Sequence, residues 1–349
     1  MKIALITDQH FGARKNSKLF HDYFLKFYND IFFPTLEKEG ITTIVDMGDT
    51  FDNRTGINFS SLKWAKDNYY DKLRDMGCVV HTIVGNHTAY YKNTNEINAV
   101  DLLLREYENV KVYSEAQDVK VGDIPVLFIP WINSENKEYT YKKIQNSKSK
   151  VAMGHLELSG FAANRQCIMD HGDDKKRYSN FEKVFSGHYH TRNFQDNIFY
   201  TGNCYEIYWN DYDDPRGFTI FDTETLEHYH IDNPYRIFYN IIYEDLDYRS
   251  FNYGEYENKI VKLIVRKKTD KKKFEKFIDK LYHSNIADLK IVEYYDFDGW
   301  YSKNEVEEIE SENTLSLLNK YIKESEIDLD KGKLSKIIEE VYQEACEMI

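Results

Sequence analysis

Short apolar runs with the composition of buried β-strands recur along the first two thirds of the chain. The longer segments between the early runs, Leu19–Glu39 and Ser60–Met76, have the length and patterning of crossover helices. This alternation predicts an α/β domain with a partly parallel sheet. The runs predicted as strands are Lys2–Thr7, Thr42–Met47, Val79–Val84, Pro125–Pro130, Lys150–Met153, Lys183–Ser186, Ile198–Thr201 and Gly217–Phe221.

The pattern changes after about Arg236. The order strand, strand, helix, strand is predicted there, over Ile237–Tyr243, Lys259–Val265, Asp270–Tyr282 and Asp288–Tyr295, which suits a small α+β domain. Beyond Gly299 the chain is acidic and carries apolar residues at helical spacing, which predicts helices that dock on a partner or pack back on their own chain. The predicted domains are therefore residues 1–230, 231–300 and 301–349.

Composition indicates a folded protein outside membranes. The chain has 349 residues, of which 42% are hydrophobic and 15% aromatic, and its net charge of −13 argues against general coating of nucleic acid. A local basic path or bound metal ions would still permit contact with phosphates. The longest apolar stretch is too short for a membrane helix, and the N-terminus turns polar too early for a signal peptide. We therefore expect a cytoplasmic protein. The scattered Cys78, Cys167, Cys204 and Cys346 indicate neither a disulfide framework nor a zinc ribbon.

Clusters of metal-ligand residue types follow five of the predicted strands. Any one of these residues alone would more often be an ordinary surface or hydrogen-bonded side chain. Together they place oxygen and nitrogen ligands at the ends of several strands, where the ligands of α/β sheets bind, and a glycine precedes four of the five clusters. The set predicts a shared metal site. The clusters are Asp8-x-His10, Gly48-Asp49, Gly85-Asn86-His87, Gly154-His155 and Gly187-His188-Tyr189-His190.

In this order the five clusters resemble the calcineurin-like metallophosphoesterases over roughly residues 1–225, and within them the SbcD-type recombination nuclease subunits, including those of T-even-like phages. Three further segments support the likeness: His81–His87, Ile129-Pro130-Trp131 and Asp213–Phe218. The resemblance implies a four-layer α/β/β/α sandwich, a small α+β capping domain and a C-terminal helical tail.

The resemblance also implies roles for individual residues. Asp49 would bridge two divalent ions, most simply Mn²⁺, with Mg²⁺ possible and zinc or iron left open by ligand type. His87 would be the catalytic histidine, with a pKa near neutrality. The first ion would be held by Asp8, His10, Asp49 and His190, and the second by Asn86, His155 and His188.

Two positions depart from the family pattern. Asp52 stands where cellular relatives carry histidine, and Thr88 stands where the family often has an acidic residue. Asp52 is predicted to orient His87, with loop capping as the alternative.

Basic residues around the clusters are candidates for phosphate contacts, although such residues are often just solvated loop charges. Arg14, Lys15 and Arg54 follow the first two clusters, and further candidates, Lys267, Lys268, Lys271 and Lys272, lie in the predicted capping domain. His171 is either a substrate-loop residue or an ordinary polar residue, and Trp131 is expected in the core.

The resemblance implies a Mn²⁺-dependent DNA nuclease, with double-strand exonuclease and single-strand endonuclease activity, that acts in recombination, repair and replication. Its implied partners are DNA, a second copy of the chain and an SbcC-type SMC-like ATPase bound by the C-terminal helices; for a phage protein the compartment would be the host cytoplasm. One rival is a phosphomonoesterase or nucleotide phosphodiesterase, which would not need the capping domain and tail. The other is a non-catalytic scaffold, which would have lost ligands.

Overall fold

The computed structural model describes residues 1–165, 167–248, 250–267, 270–293, 322, 330–335 and 337–338. Two compact units are present: the first comprises residues 1–239, 253–261 and 283–288, and the second comprises 240–252, 262–282 and the described residues from 289 onward. The predicted helical tail, residues 301–349, lies almost wholly outside the described residues. In the described part of the chain, no helix has the length and apolarity to cross a membrane.

All eight strands predicted for the first two thirds are present, with no end shifted by more than two residues. The strands that the pattern missed are short or carry many exposed side chains, so they lack a clear apolar run. The described strands are β1 (Lys2–Ile6), β2 (Thr43–Asp46), β3 (Val79–Ile83), β4 (Val110–Tyr113), β5 (Gln117–Val121), β6 (Ile124–Ile129), β7 (Val151–His155), β8 (Ala162–Asn164), β9 (Cys167–Ile168), β10 (Lys183–Gly187), β11 (Asn193–Gln195), β12 (Ile198–Tyr200), β13 (Gly217–Asp222), β14 (His228–Asp232), β15 (Phe238–Ile242), β16 (Ile260–Val265) and β17 (Asp288–Glu293).

The two predicted crossover segments are helical throughout, but each contains a π-helical turn that the pattern does not reveal. The first runs through Lys18–Phe27, the π turn Tyr28–Phe32 and Phe33–Glu39, and the second through Phe59–Ala65, the π turn Lys66–Tyr70 and Asp71–Asp75. Three further described α-helices have six, ten and twelve residues: Ala99–Leu104, Lys137–Asn146 and Lys271–Tyr282.

Two six-stranded sheets form the first unit. Their strand orders are β14-β13-β1-β2-β3-β4 and β11-β12-β10-β7-β6-β5. In the first sheet β1, β2, β3 and β4 are parallel, and in the second β6, β7, β10 and β12 are parallel. The carboxyl ends of β1, β2 and β3 therefore share one edge, as do those of β7 and β10.

Alternation along the strands explains how the sheets pack. In β1, Ile3 and Leu5 belong to the core between the two sheets, together with Phe128 and Met153 of the second sheet. Ala4 and Ile6 point the other way, into a core that the helices cover. Leu127 and Ala152 line a third core on the outer face of the second sheet, with Ile144 of the helix Lys137–Asn146. The predicted four-layer α/β/β/α sandwich is confirmed.

Beyond residue 236 the predicted order strand, strand, helix, strand is also present. β15, β16 and β17 form a three-stranded sheet in that order, and the helix Lys271–Tyr282 lies between β16 and β17 in sequence. Its apolar face includes Phe274 and Phe277, whose rings lie 5.0 and 6.0 Å from that of Tyr243.

Candidate metal centre

The five clusters emerge where their strands end. Asp8 and His10 follow β1, Asp49 follows β2, and Asn86 follows β3. In the second sheet His155 is the last residue of β7, while His188 and His190 follow β10. The parallel strands of each sheet thus carry these side chains to one edge, as the sequence predicts.

Asp8, His10 and His190 form a first group of side chains whose ligand atoms lie within 4.8 Å of one another. Nε2 of His10 and Nε2 of His190 are 3.2 Å apart, and each lies 3.9 Å from Oδ1 of Asp8. The other oxygen, Oδ2 of Asp8, accepts hydrogen bonds from the hydroxyl of Thr7 (2.6 Å) and the backbone N–H of His188 (3.0 Å). The carboxylate is therefore fixed through one oxygen, while the other faces the two imidazoles.

Asp49, His155 and His188 form a second such group. Nε2 of His155 lies 3.1 Å from Oδ2 of Asp49 and 2.9 Å from Oδ1 of Asn86. The same amide oxygen lies 3.1 Å from Nδ1 of His188. The backbone carbonyl of Met47, 2.8 Å from Nδ1 of His155, fixes the orientation of that ring. All seven residues predicted as metal ligands are thus placed in two adjoining clusters of oxygen and nitrogen atoms.

The backbone is strained at this edge. Asp8, His10, Asp49 and His188 have φ values of 50°, 46°, 51° and 85°, in the left-handed region that costs non-glycine residues free energy. Such conformations persist only where surrounding contacts enforce them, and they collect at functional sites.

Two glycines allow the close approach of the strand ends. A Cβ atom on Gly85 would collide with Oδ1 of Asp49, and one on Gly187 would collide with the hydroxyl of Thr7 and approach Oδ2 of Asp8 to 2.9 Å. Glycine is therefore required at these positions, because the side chain of Asp49 fills the space beside Gly85 and the side chain of Thr7 fills the space beside Gly187.

His87 is held by two backbone contacts. Its N–H donates to Oδ1 of Asp49 (2.8 Å), and its Nδ1 lies 2.7 Å from the carbonyl oxygen of Asp52. A carbonyl only accepts, so Nδ1 carries the proton and Nε2 of the neutral ring has a free lone pair. Burial lowers the pKa of His87 even though the charge of Asp49 opposes it. The ring is therefore neutral at neutral pH, with a pKa below the near-neutral value that the sequence suggests.

The carboxylate of Asp52 pairs with His10, and Asp52, His10 and His87 together form a third group whose carboxylate oxygen and ring nitrogen atoms lie within 4.8 Å of one another. Oδ1 of Asp52 lies 3.2 Å from Nδ1 of His10 and accepts a hydrogen bond of 3.4 Å from the hydroxyl of Tyr208. Burial would raise the pKa of Asp52, but the hydrogen bond and charge of His10 outweigh it and lower the pKa. Asp52 thus contacts His87 through its backbone and His10 through its side chain.

The site fits divalent metal ions. Oδ1 of Asp8 is fully buried and has no hydrogen-bond partner, an arrangement that is costly for a carboxylate without a cation. Burial by itself lowers the pKa of both His10 and His155. Neighbouring carboxylates outweigh this effect, Asp52 foremost for His10 and Asp49 for His155, and raise each pKa to about 9. The concentrated negative charge therefore holds protons where metal ions would otherwise supply the positive charge.

Several contacting residues were missed by sequence reasoning. Trp131, expected in the core, is half-buried, and its ring lies 5.1 Å from that of His188. Tyr208 stacks on His190, with ring centroids 6.2 Å apart, and no feature of its sequence neighbourhood points to that contact. Glu157 lies 4.0 Å from Nε2 of His188 and 3.4 Å from Nε2 of His171. Its spacing of two residues after His155 is the signal that could have found it.

A buried polar network supports the first group from behind. The amide of Gln9, between Asp8 and His10 in sequence, donates to Asp46 (2.9 Å) and accepts from the hydroxyl of Tyr28 (2.6 Å). Tyr28 belongs to the π-helical turn of the first crossover segment. Burial raises the pKa of Asp46 to about 7. Through Tyr28, the π-helical turn therefore contacts the end of β1, where the predicted ligands Asp8 and His10 lie.

The predicted phosphate contacts differ in placement. The guanidinium of Arg14 lies 6.0 Å from the ring centroid of Tyr208, which connects it to the centre, and its neighbour Lys15 is exposed. Arg54 is half-buried. In the second unit Lys267, Lys271 and Lys272 are exposed, and Lys268 lies outside the described residues.

Comparison with known proteins identifies the family. The calcineurin-like phosphoesterase family pattern matches residues 1–192. Exonuclease subunit 1 of Enterobacteria phage T4 is 31% identical over 354 residues, which cover 99% of this chain and 100% of that protein.

Two solved structures are more distant. The structure of an archaeal phosphodiesterase is 15% identical with a TM-score of 0.36, covering 67% of this chain and 100% of that chain. The structure of a cold-active protein tyrosine phosphatase is 13% identical with a TM-score of 0.29, covering 66% of this chain and 78% of that chain. Both TM-scores are low, so the assignment rests on the sequence matches. The predicted resemblance is confirmed by them: the chain belongs to the calcineurin-like phosphoesterase family.

Proposed function

We propose that this chain is a metal-dependent DNA nuclease of the SbcD type, with double-strand exonuclease and single-strand endonuclease activity in recombination, repair and replication. The observation that carries the proposal is the pair of adjoining ligand groups, Asp8–His10–His190 and Asp49–His155–His188, at one edge of a phosphoesterase fold. Full-length similarity to a phage protein named as an exonuclease subunit supports DNA as the substrate and another subunit as a partner.

Two divalent ions, of which Mn²⁺ is the proposed species, would bind these groups. Asp8, His10, Asp49 and His190 would hold the first ion, and Asp49, Asn86, His155 and His188 the second. When bound, such ions neutralise phosphate charge and lower the pKa of water, which is the chemistry that phosphodiester hydrolysis requires. Mixed carboxylate, amide and imidazole ligands suit Mn²⁺ better than Ca²⁺.

His87 is the proposed catalytic histidine. Its Nδ1–H is fixed on the carbonyl of Asp52, so Nε2 is the atom that can hold or pass a proton. In the protein alone burial keeps the ring neutral. A phosphodiester close by adds negative charge, which raises the pKa of the imidazole and favours uptake of a proton. His87 would then protonate the departing sugar oxygen.

Asp52 would act as a positioning residue for both His87 and His10. Its carbonyl sets the tautomer of His87, and its carboxylate lies 3.2 Å from Nδ1 of His10, which leaves Nε2 of His10 for the first ion.

DNA would be positioned by basic side chains that contact phosphates rather than bases. Arg14 is the best supported of these, because it lies against Tyr208 beside the predicted ligands. Lys15 and Arg54 would extend this contact, and Lys267, Lys268, Lys271 and Lys272 would contribute from the proposed capping domain, residues 231–300. Residues 301–349 would bind an SbcC-type SMC-like ATPase, and the nuclease would act as a homodimer in the cytoplasm of the cell or phage host.

The test measures nucleotide release from linear duplex DNA with Mn²⁺, with Mg²⁺ and with chelator, beside hydrolysis of p-nitrophenyl phosphate. The native protein is compared with His87→Ala, with bound metal measured in both. We expect Mn²⁺-dependent degradation of DNA that falls by about 10²- to 10⁴-fold in the variant while bound metal is retained. Turnover of the monoester alone would indicate a phosphomonoesterase, and metal binding without turnover, with the ATPase present, would indicate a scaffold.

The ATPase contact has a separate test. Deletion of residues 301–349 should abolish co-purification with the ATPase, and unchanged binding would contradict the assignment of the tail.

A further inference from the structure

The segment Asp213–Phe218 lies next to a predicted metal ligand, although it contributes none itself. Arg216 is buried, with 3% of its surface exposed. One guanidinium nitrogen donates to the backbone carbonyl of His190 and to Oδ1 of Asn203 (2.5 Å). The other donates to Oδ2 of Asp214 (2.8 Å) and lies 3.1 Å from Oδ1 of Asp211. Arg216 therefore contacts the backbone of His190 and three side chains, those of Asn203, Asp211 and Asp214.

Asp211 connects Arg216 to the imidazole of His190. Its Oδ2 accepts from the backbone N–H groups of Ile207 (2.7 Å) and Tyr208 (2.9 Å), which fixes the carboxylate. Its Oδ1 lies 3.8 Å from Nδ1 of His190. The carboxylate is thus held through both oxygens, Oδ2 by the two backbone N–H groups and Oδ1 by the guanidinium of Arg216, and Oδ1 also faces the ring of His190.

The two ring nitrogens of His190 have different surroundings. Nε2 faces His10 at 3.2 Å and Asp8 at 3.9 Å, so it is the atom that would bind the ion. A neutral imidazole that binds metal through Nε2 carries its proton on Nδ1. Without a bound ion, the amide nitrogen of Asn203, 3.3 Å from Nδ1, donates to that atom, and it cannot accept the proton that Nδ1 would carry once Nε2 binds metal. Arg216 prevents the amide from turning round, because it already occupies Oδ1 of Asn203. Oδ1 of Asp211 lies 3.8 Å from Nδ1, beyond hydrogen-bond distance, and its negative charge stabilises a proton on that nitrogen, as the metal-binding tautomer requires.

We propose that Arg216 and Asp211 are positioning residues that hold His190 with Nε2 directed at the first metal ion. The inference rests on the proposed metal centre and assigns to the Asp213–Phe218 segment the support of one ligand of that centre. Because Asn86, His155 and His188 have other partners, the second ion should depend on this support far less than the first.

The test separates positioning from general structural support. Loss of a buried ion pair alone would lower stability without distinguishing one ion from the other. Loss of positioning would lower the affinity for the first ion and leave the affinity for the second ion unchanged. The readouts are Mn²⁺ stoichiometry and affinity by titration calorimetry, and the electron paramagnetic resonance signal, which differs between a coupled Mn²⁺ pair and an isolated ion. Thermal unfolding is measured alongside.

Three variants of the full chain are compared with the native protein. Arg216→Met removes the guanidinium. Asp211→Asn keeps the shape of the side chain, retains an oxygen for the N–H groups of Ile207 and Tyr208, and removes the negative charge 3.8 Å from Nδ1 of His190. Arg236→Met is the matched control, since Arg236 also pairs with carboxylates, Glu206 at 3.5 Å and Asp213 at 3.3 Å.

We expect Arg216→Met and Asp211→Asn each to lower the affinity for one of the two Mn²⁺ ions by about 10- to 100-fold. At limiting Mn²⁺ each variant should give the electron paramagnetic resonance signal of an isolated ion. Arg236→Met should bind both ions as the native protein does. If Arg216→Met does not fold, Asp211→Asn decides alone. Binding of both ions by Asp211→Asn with native affinity would overturn the inference. Absence of paired Mn²⁺ in the native protein would instead contradict the proposed metal centre.

Discussion

Nδ1 of His87 lies 2.7 Å from the backbone carbonyl oxygen of Asp52, while the carboxylate of Asp52 is directed at His10. A single residue therefore sets the orientation of the proposed catalytic histidine and of one proposed metal ligand, by separate atoms. Substitution of the side chain removes only one of these contacts, so the two roles can be distinguished.

Asp52→Asn should lower the affinity of the protein for the first metal ion and leave His87 in place. The variant loses the negative charge beside Nδ1 of His10 but keeps the carbonyl that orients His87. We expect DNA cleavage to fall by about 10- to 100-fold at limiting Mn²⁺ and to recover largely at saturating Mn²⁺. Cleavage rates as a function of Mn²⁺ concentration, with His87→Ala as the variant that does not recover, provide the measurement. A loss that saturating Mn²⁺ does not relieve would place the carboxylate in the proton-transfer step.

Gly85→Ala should damage the centre through packing alone. The added methyl group would collide with Oδ1 of Asp49, so the carboxylate or the strand end has to move. We expect a cost of about 1–3 kcal/mol in the free energy of unfolding and a drop of at least about tenfold in Mn²⁺ affinity. Gly56→Ala is the matched control, because nothing lies within 4 Å of its Cβ position. Titration calorimetry and thermal unfolding test the pair, and equal Mn²⁺ affinities in the two variants would refute the expectation.

Mn²⁺ affinity should rise with pH between about pH 6 and pH 9. In the metal-free protein the pKa values of His10 and His155 are raised to about 9 by neighbouring carboxylates, which outweigh the opposing effect of burial. Both rings are therefore protonated at neutral pH, and binding of an ion must release their protons. Each released proton contributes up to about a tenfold gain in apparent affinity per pH unit. Calorimetry in buffers of different ionisation enthalpy counts the protons, and binding without proton release would contradict the assignment of these ligands.

His81 should make the protein less stable in acid. Burial lowers its pKa to about 4, with a smaller contribution from Lys111, and its Nδ1 lies 2.8 Å from the hydroxyl of Tyr113. The folded state favours the neutral ring, so protonation of His81 favours unfolding. The free energy of unfolding is therefore highest above the unfolded pKa of about 6.5 and falls as the pH drops toward 4. At pH 5 the loss amounts to about 2 kcal/mol.

The variant His81→Asn keeps an oxygen near the position of Nδ1 but does not titrate. Denaturant unfolding of both proteins at pH 7.5 and pH 5.0 isolates the contribution of His81, since the other histidines are common to both. We expect the native protein to lose more stability than His81→Asn between pH 7.5 and pH 5.0. Equal losses in the two proteins would show that the pKa of His81 is not lowered by folding.

Much of the first unit could be predicted from the sequence, because its strands and ligand clusters are specified by residues that are neighbours along the chain. Alternating and continuous apolar runs specify strands such as Lys2–Ile6 and Lys183–Gly187, and the clusters that follow them name every residue of the two ligand groups. Strands with exposed faces, such as Gln117–Val121, lack that signal and appear only when neighbouring strands pair with them.

Tertiary structure alone decided which atoms meet. Spacing along the chain cannot place Tyr208 on His190, pair the carboxylate of Asp52 with Nδ1 of His10, or bring Arg216 to the carbonyl of His190. These contacts join residues that are distant in sequence, and their geometry depends on how two sheets pack and on backbone conformations at Asp8, His10 and Asp49 that local preference disfavours. The sequence by itself thus determined the family and the set of ligands, whereas packing determined the orientation of each ring and carboxylate, because orientation depends on contacts that exist only in the folded chain.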